Sequence, residues 1–186
     1  MYSLSELEQL CRKCKKCRLW TTRKNVVFGE GAKNADIMFI GEGPGEQEDM
    51  LGRPFVGKAG KLLDKGIEAL GLSRESIYIA NIVKCRPPGN RVPEKDEADS
   101  CIEYLRWQVK LIDPKVIVLL GSTAGRNILG QDFRITRQRG TLFELGKFKI
   151  VPTYHPAAVL RDDMKKADFW SDLKLAIKIY EQIKNC

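Results

Sequence analysis

The stretch Ile37-Met-Phe-Ile-Gly-Glu-Gly-Pro-Gly-Glu-Gln-Glu-Asp49 decides how this chain folds. Its four opening apolar residues are too few for a helix and read as a strand buried on both faces. Three alternating glycines then break the strand, and a cluster of carboxylates follows. Core packing does not require such a composition. The glycines let backbone approach a flat ligand, and the acids put charge at the same spot. The C-terminal edges of strands are also where open α/β sheets build their binding crevices, so this loop is the first place to expect chemistry.

Three more short apolar runs lie downstream, at residues 77–83, 116–120 and 148–151. Segments with helical spacing separate them. Residues 58–70 close on Gly71, residues 94–111 start after Pro93, and residues 121–129 follow the third run directly. Near the C-terminus, residues 168–184 place Phe169, Leu173, Ile177, Tyr180 and Ile183 on one helical face. Near the N-terminus, residues 4–10 read as a short amphipathic helix that leads into a Cys/Lys-rich loop. Doubly buried strands alternating with helices predict an α/β fold: a single three-layer α/β/α domain, residues 1–186, around a central four-stranded parallel sheet. No repeat or long linker suggests a second domain.

Of the 186 residues, 43% are hydrophobic and 30% charged, the balance of an ordinary globular chain. No apolar run approaches the ~20 residues of a membrane span. Met1-Tyr-Ser-Leu-Ser-Glu has no signal-peptide pattern, so a cytoplasmic location with no membrane partner is expected. Lysine and arginine number 32 against 24 acidic residues, a formal charge of +8 that favours a polyanionic partner. The excess concentrates in Arg12, Lys13, Lys15, Lys16, Arg18, Arg23 and Lys24, and again in Arg134, Arg137 and Arg139.

Six cysteines in a chain expected inside the cell argue for metal or redox chemistry over a disulfide framework. Cys14-x2-Cys17 is a chelating pair, and Cys85 and Cys101 could complete a tetrathiolate site suited to zinc or an iron–sulfur cluster. Cys11, which precedes Cys14 with the same x2 spacing, could replace a member. Cys85 and Cys101 could equally be small buried core residues. His155 is the only histidine, which limits imidazole chemistry to one candidate.

Familiar nucleotide-binding patterns fail. Gly41-x-Gly43 opens a dinucleotide fingerprint, but Glu46 stands where the third glycine belongs; residues 52–58 resemble a phosphate loop, but Ala59 cannot ligate magnesium. The zinc deaminase His-x-Glu is absent as well. Taken together, the loops make better sense. If the strands are parallel, residues 41–49, Phe55, Asn81 and His155 meet at one sheet edge, giving an aromatic face, a side-chain amide, a glycine-turn N–H and an imidazole. That inventory suits a planar heterocycle with donor and acceptor edges.

Five ordered motifs carry a resemblance: Gly41-Glu-Gly-Pro-Gly-Glu, Gly52-Arg-Pro-Phe-Val-Gly, Asn81-Ile-Val-Lys-Cys-Arg-Pro-Pro, Leu120-Gly-Ser-Thr-Ala and His155-Pro-x-x-x-Leu. From about Cys14 to the C-terminal helix the chain resembles a uracil-DNA glycosylase of the family 4 type, the iron–sulfur branch of that superfamily. The resemblance implies a monofunctional repair enzyme that flips deoxyuridine out of DNA, hydrolyses its N-glycosidic bond and leaves an abasic site. It implies a [4Fe–4S] cluster on Cys14, Cys17, Cys85 and Cys101, bound partly by the N-terminal segment of about residues 1–25. Cys11 and Cys186 depart from the pattern.

It further implies a uracil pocket formed by Glu42, Gly43, Pro44, Glu48, Phe55, Asn81 and His155. Phe55 stacks on the base, the Asn81 amide pairs with O4 and N3–H, and Glu48 lies beside C5, where a thymine methyl collides. His155 and the Gly43 N–H stabilise the departing anion at O2. Related glycosylases carry a general-base aspartate at the position of Gly43. Water activation therefore falls to Glu42, with Asn90 as the second candidate. Leu160, flanked by Val159 and Arg161, fills the gap left in the DNA; Ser122, Asn90 and Arg161 contact DNA, and the basic runs hold its backbone. Uracil-containing single- or double-stranded DNA acted on by a monomer is the expected partnership. The rival reading is an iron–sulfur or zinc DNA-binding module without catalysis, which leaves Phe55, Asn81 and His155 unexplained together.

Overall fold

The computed structural model describes residues 2–185. Strands β1 (Glu30–Gly31), β2 (Ile37–Gly41), β3 (Tyr78–Asn81), β4 (Val116–Leu120), β5 (Phe143–Leu145) and β6 (Phe148–Thr153) form one sheet in the order β1-β3-β2-β4-β6-β5. The middle four are parallel and match the expected central sheet. The sequence reading lacked the two antiparallel edge strands: β1 has only two residues, and β5 forms a hairpin with β6.

The helices are α1 (Leu4–Arg12), α2 (Glu46–Leu51), α3 (Lys58–Ala69), α4 (Lys95–Ile112), α5 (Ser122–Leu129), α6 (Ile135–Gln138), α7 (Pro156–Arg161) and α8 (Lys165–Lys184). Helix α4 starts where Pro93 placed it, with Glu94 and Glu97 forming a capping box. Gly71 sits in the left-handed region just past α3, as expected of a C-terminal glycine. Helices α2, α6 and α7 have four to six residues, too short for an apolar period to register.

Alternation along the strands divides the core in two. Met38, Ile40, Ala80, Ile117, Leu119 and Ile150 face the layer of Leu7, Tyr104, Leu105 and Ala124. Ile37, Phe39, Ile79, Val118, Leu120 and Val151 face Leu63, Ile67, Val159, Phe169 and Leu173. Among the described residues no helix is long and apolar enough to cross a membrane.

The chain leaves β2 through α3 to reach β3 on one side, then crosses back through α4 to β4 on the other. The C-terminal ends of β2, β3 and β4 therefore open at the point where strand order reverses, the usual crevice of such sheets. Gly41 lies in register with Asn81, and Leu120 with Thr153, so the loops that follow all emerge at the same rim.

Candidate active site

A cavity of about 570 Å³ occupies that rim, within the size range of small-molecule sites. Glu42, Gly43, Pro44, Glu48, Phe55, Asn81, Asn90, His155 and Arg161 all line it. Ser122 and Leu160 do not. Ser122 begins α5, and Leu160 projects from α7 with 45% of its surface exposed.

Asn81 forms the floor. It ends β3, is 1% exposed, and its Oδ1 has no hydrogen-bond partner within the protein. An unpaired buried acceptor is costly unless a ligand completes it. Beside it, Phe55 is held at φ +52°, a conformation that bulky residues rarely adopt. Several contacts enforce it. Arg74 Nη2 donates to the carbonyls of Pro54 (2.7 Å) and Phe55 (3.1 Å). Glu48 Oε1 accepts the N–H groups of Val56 (2.9 Å) and Gly57 (2.8 Å). A Cβ at Gly60 would lie 1.8 Å from the Phe55 carbonyl oxygen.

The glycines of the opening loop prove to serve the protein's own side chains. A Cβ on Gly41 would lie 2.5 Å from both Asn81 Oδ1 and the Phe55 ring, one on Gly43 2.7 Å from Val83, and one on Gly45 2.7 Å from Glu48 Oε2. Gly41 is thus the space in which aromatic face and amide come together.

His155 caps the N-terminus of α7, its Nδ1 accepting the Ala157 N–H at 3.1 Å. That bond assigns the neutral ring's proton to Nε2, leaving a donor. Burial, reinforced by the positive charge of Arg161, pushes its pKa down to about 4, so the ring is uncharged at neutral pH. The tight Gly121 turn packs against it, where a Cβ would meet the His155 Cβ at 2.9 Å. Glu42, also on the cavity wall, accepts a hydrogen bond from the Thr123 hydroxyl. Arg86 Nε donates to Asn90 Oδ1 at 2.7 Å, holding the 86–91 loop over the pocket.

The arrangement offers a stacking face, an unpaired amide acceptor, a neutral imidazole donor and a carboxylate around one cavity. A family model described as the uracil DNA glycosylase superfamily matches residues 28–174. The chain belongs to the uracil-DNA glycosylase superfamily. Within it, its similarity is to the type-4 branch. The "Type-4 uracil-DNA glycosylase" of Sulfurisphaera tokodaii is 48% identical, covering 89% of this chain and 84% of the relative. Those of Thermotoga maritima and Saccharolobus solfataricus are 46% and 48% identical, covering 87% and 86% of this chain and 88% and 78% of the relatives.

In this superfamily member the cysteines also converge. Cys11, Cys14, Cys17, Cys85 and Cys101 line one small cavity between the N-terminal segment and α4. The Lys84 N–H donates to Cys101 Sγ at 3.3 Å, and Arg23 Nη1 to Cys85 Sγ at 3.2 Å, donors of the kind that stabilise thiolate ligands. Without a metal, burial pushes the Cys101 thiol up to about 12 and also raises Cys85. Among the described residues no three His, Cys, Asp or Glu side chains are grouped to hold a single ion. Soft sulfur donors spread around a cavity suit a larger metal group instead. The sixth cysteine, Cys186, lies outside the described residues.

The two basic runs divide between packing and surface. Arg12 pairs with Glu8, Lys16 with Glu103, Arg18 with Glu94 and Glu97, and Arg23 serves Cys85. Arg139 is committed to the buried Asp172, which also accepts from Thr153 Oγ1 at 2.7 Å. Lys13, Lys15 and Lys24, with Arg134 and Arg137, form no ion pair among the described residues and are the members suited to a phosphate backbone. Sequence reasoning missed Arg74, Lys84, Glu97 and the Thr123 hydroxyl as parts of the site's support. Each is an ordinary residue type whose role appears only from its partner.

Proposed function

We propose that this chain is a DNA-repair glycosylase that hydrolyses the N-glycosidic bond of a deoxyuridine flipped out of DNA, releasing uracil and leaving an abasic site. The unpaired Asn81 Oδ1 at the floor of an aromatic-faced cavity carries the reading. Uracil presents N3–H to that oxygen and O4 to the amide N–H, whereas cytosine reverses both. A site of this kind rejects the wrong base through unpaired buried groups. Phe55 stacks on the ring. Glu48, tethered by two backbone N–H groups, forms a rigid wall beside C5 that excludes a thymine methyl.

As the bond breaks, negative charge grows on the uracil and positive charge on the sugar. The neutral His155 Nε2–H and the Gly43 N–H meet the anion at O2, with Pro44 shaping the same edge. Glu42, oriented by Thr123, positions the attacking water and balances the sugar cation. Asn90 and Arg161 at the rim, Ser122 at the start of α5 and Leu160 on α7 hold the DNA around the vacated stack. Residues 1–186 act as one glycosylase domain, active as a cytoplasmic monomer.

Cys14, Cys17, Cys85 and Cys101 hold a [4Fe–4S] cluster. A cluster bound there would supply a cross-link between the N-terminal segment, the loop after β3 and helix α4. Incubating the protein with uracil-, cytosine- and thymine-containing single strands, then alkali, tests the activity. Scission only at uracil, lost on Asn81→Ala, is expected; intact uracil strands that stay bound mean a non-catalytic module. Brown protein with visible absorbance toward the blue distinguishes iron from zinc.

A further inference from the structure

We propose that Lys58 binds the DNA phosphate adjoining the flipped deoxyuridine, together with the open N–H groups of the first turn of α3. The inference deepens the glycosylase reading above and rests on it. Three carboxylates line the cavity, Glu42, Glu46 and Glu48, and a polyanion has to be held at its mouth in spite of them. The lining also holds three cations, Lys58, Arg91 and Arg161. Arg91 is committed to the buried Glu97 at 2.7 Å. Lys58 and Arg161 form no ion pair among the described residues, and of the two only Lys58 has no role in the reading above.

Lys58 is exposed and opens α3, a helix of 12 residues. Gly57, its N-cap, contributes no side chain to the first turn. Glu48 takes the N–H groups of Val56 and Gly57, which leaves those of Lys58 and Ala59 without an acceptor among the described residues. Ala59 lines the cavity as well. Open N–H groups beside an ammonium at a helix start suit an anion. A separate observation shows that this cavity is built for a ligand: Asn81 Oδ1, on a residue 1% exposed, is unpaired within it. Phe55, the stacking ring, precedes Lys58 by three residues, a span of at most about 11 Å. A nucleotide whose base lies on Phe55 therefore carries its own phosphates into reach of this turn. The stretch Gly52–Lys58 resembles a phosphate loop that lacks its magnesium ligand, since Ala59 follows. A phosphodiester has one negative charge where a nucleoside triphosphate has several, so lysine and backbone N–H groups suffice for it without a metal.

Uracil excision is measured for the parent, Lys58→Met and Lys58→Arg on a single strand carrying one deoxyuridine, over a range of salt concentrations. Two further strands replace the phosphate on the 5′ or the 3′ side of that nucleotide by an uncharged methylphosphonate. Lys58→Met is expected to lower kcat/KM about 10–100-fold, the effect of losing a hydrogen bond to a charged group, and Lys58→Arg to restore most of it. The slope of log kcat/KM against log salt should become shallower by about 0.7, one phosphate contact on a single strand. One of the methylphosphonate strands should cost the parent the same factor and Lys58→Met nothing further. Inhibition by free uracil, which has no phosphate, should stay parental in the variant. Parental kinetics and salt slope in Lys58→Met overturn the proposal, as does a loss that adds in full to that of both methylphosphonates. Weaker uracil inhibition in Lys58→Met overturns it in favour of a disturbed pocket. A parent protein that leaves the uracil strand intact overturns the glycosylase reading itself, and this inference with it.

Discussion

The rings of Phe55 and His155 lie 5.6 Å apart, centroid to centroid, with their planes inclined by 32°. They come from loops after β2 and β6, two strands separated by β4 in the parallel part of the sheet, and meet because those strands point the same way. The pairing puts a stacking surface and a hydrogen-bond donor against the same cavity.

Removal of the donor tests what the imidazole contributes. His155→Ala is expected to lower single-turnover uracil release by about 10²–10³-fold, the cost of one oxyanion donor, with a smaller effect on DNA binding. Because the folded-state pKa is about 4, below the ordinary histidine value, the neutral donor persists across the neutral range. The rate should show no inflection from His155 between about pH 6 and 9 and should fall only toward pH 4. The linkage has a definite sign. Between the unfolded value of 6.5 and the folded value of about 4, only the unfolded chain takes up this proton, so acidification through that window destabilises the fold. His155→Ala should flatten that part of the stability profile. A wild-type rate inflection near 6.5 that vanishes in the variant would show an imidazolium at work instead.

The strained backbone of Phe55 makes a second prediction. A positive φ at a bulky residue costs about 1–3 kcal/mol, and Arg74 is the side chain that bonds both carbonyls flanking that torsion. Arg74→Met should let the ring drift from its stacking position, lowering uracil kcat/KM about 10–100-fold although residue 74 lies outside the cavity lining. Phe55→Gly separates strain from stacking: it relieves the backbone yet should lose as much activity. Parental kinetics in Arg74→Met would mean that Glu48 and Gly60 suffice to hold the loop.

Much of this was legible in the sequence, for identifiable reasons. Strands buried on both faces announce themselves as uninterrupted apolar runs, so β2, β3, β4 and β6 and the convergence of their loops followed from residues 37–40, 77–83, 116–120 and 148–151. Edge strands such as β1 and the six-residue α2 leave no periodic signal. Within the site, unusual residues in unusual places stood out, among them the lone histidine and the Gly41 loop. The supporting residues did not. Arg139 reads as one more basic residue until Asp172 is found buried beside it, and Lys84 reads as surface until its 0% exposure is known. Side chains defined by a distant partner carry no local pattern.

Thr123 shows how a distant partner assigns a role. Its hydroxyl donates to Glu42 from the first turn of α5, so the carboxylate is oriented by a helix that belongs to another crossover. Thr123→Val keeps the shape and removes that donor. It should lower kcat while leaving KM near parental, since the bond acts on a group needed in the transition state more than on uracil binding; Thr123→Ser should restore the rate. Glu42→Gln should depress the chemical step further without abolishing DNA binding. If Glu42→Gln matches the parent in single turnover, Glu42 does not position the water, and Asn90 becomes the candidate.

Glu97 ties the two halves of the site together and yields a stability prediction. Its carboxylate is fully buried and receives Arg91 through two bonds of 2.8 and 2.7 Å, Arg18 at 3.0 Å and the Glu94 N–H at 2.8 Å. Arg91 comes from the loop over the base pocket and Arg18 from the cysteine-rich segment, so one acid anchors both. The Arg91 bonds, opposed by desolvation, hold its pKa down to about 2, below the ordinary carboxylate value of 4.5. A depressed carboxylate stabilises the fold fully above its unfolded pKa and loses that contribution as the pH falls toward the folded value. Glu97's share is therefore present at neutral pH and disappears between about 4.5 and 2. Glu97→Gln keeps the shape but not the charge and should cost about 2 kcal/mol, lowering the melting temperature by about 4–8 °C at pH 7. At pH 2 the difference between the two proteins should largely vanish. An equal deficit at both pH values would assign the loss to packing rather than to the carboxylate's charge.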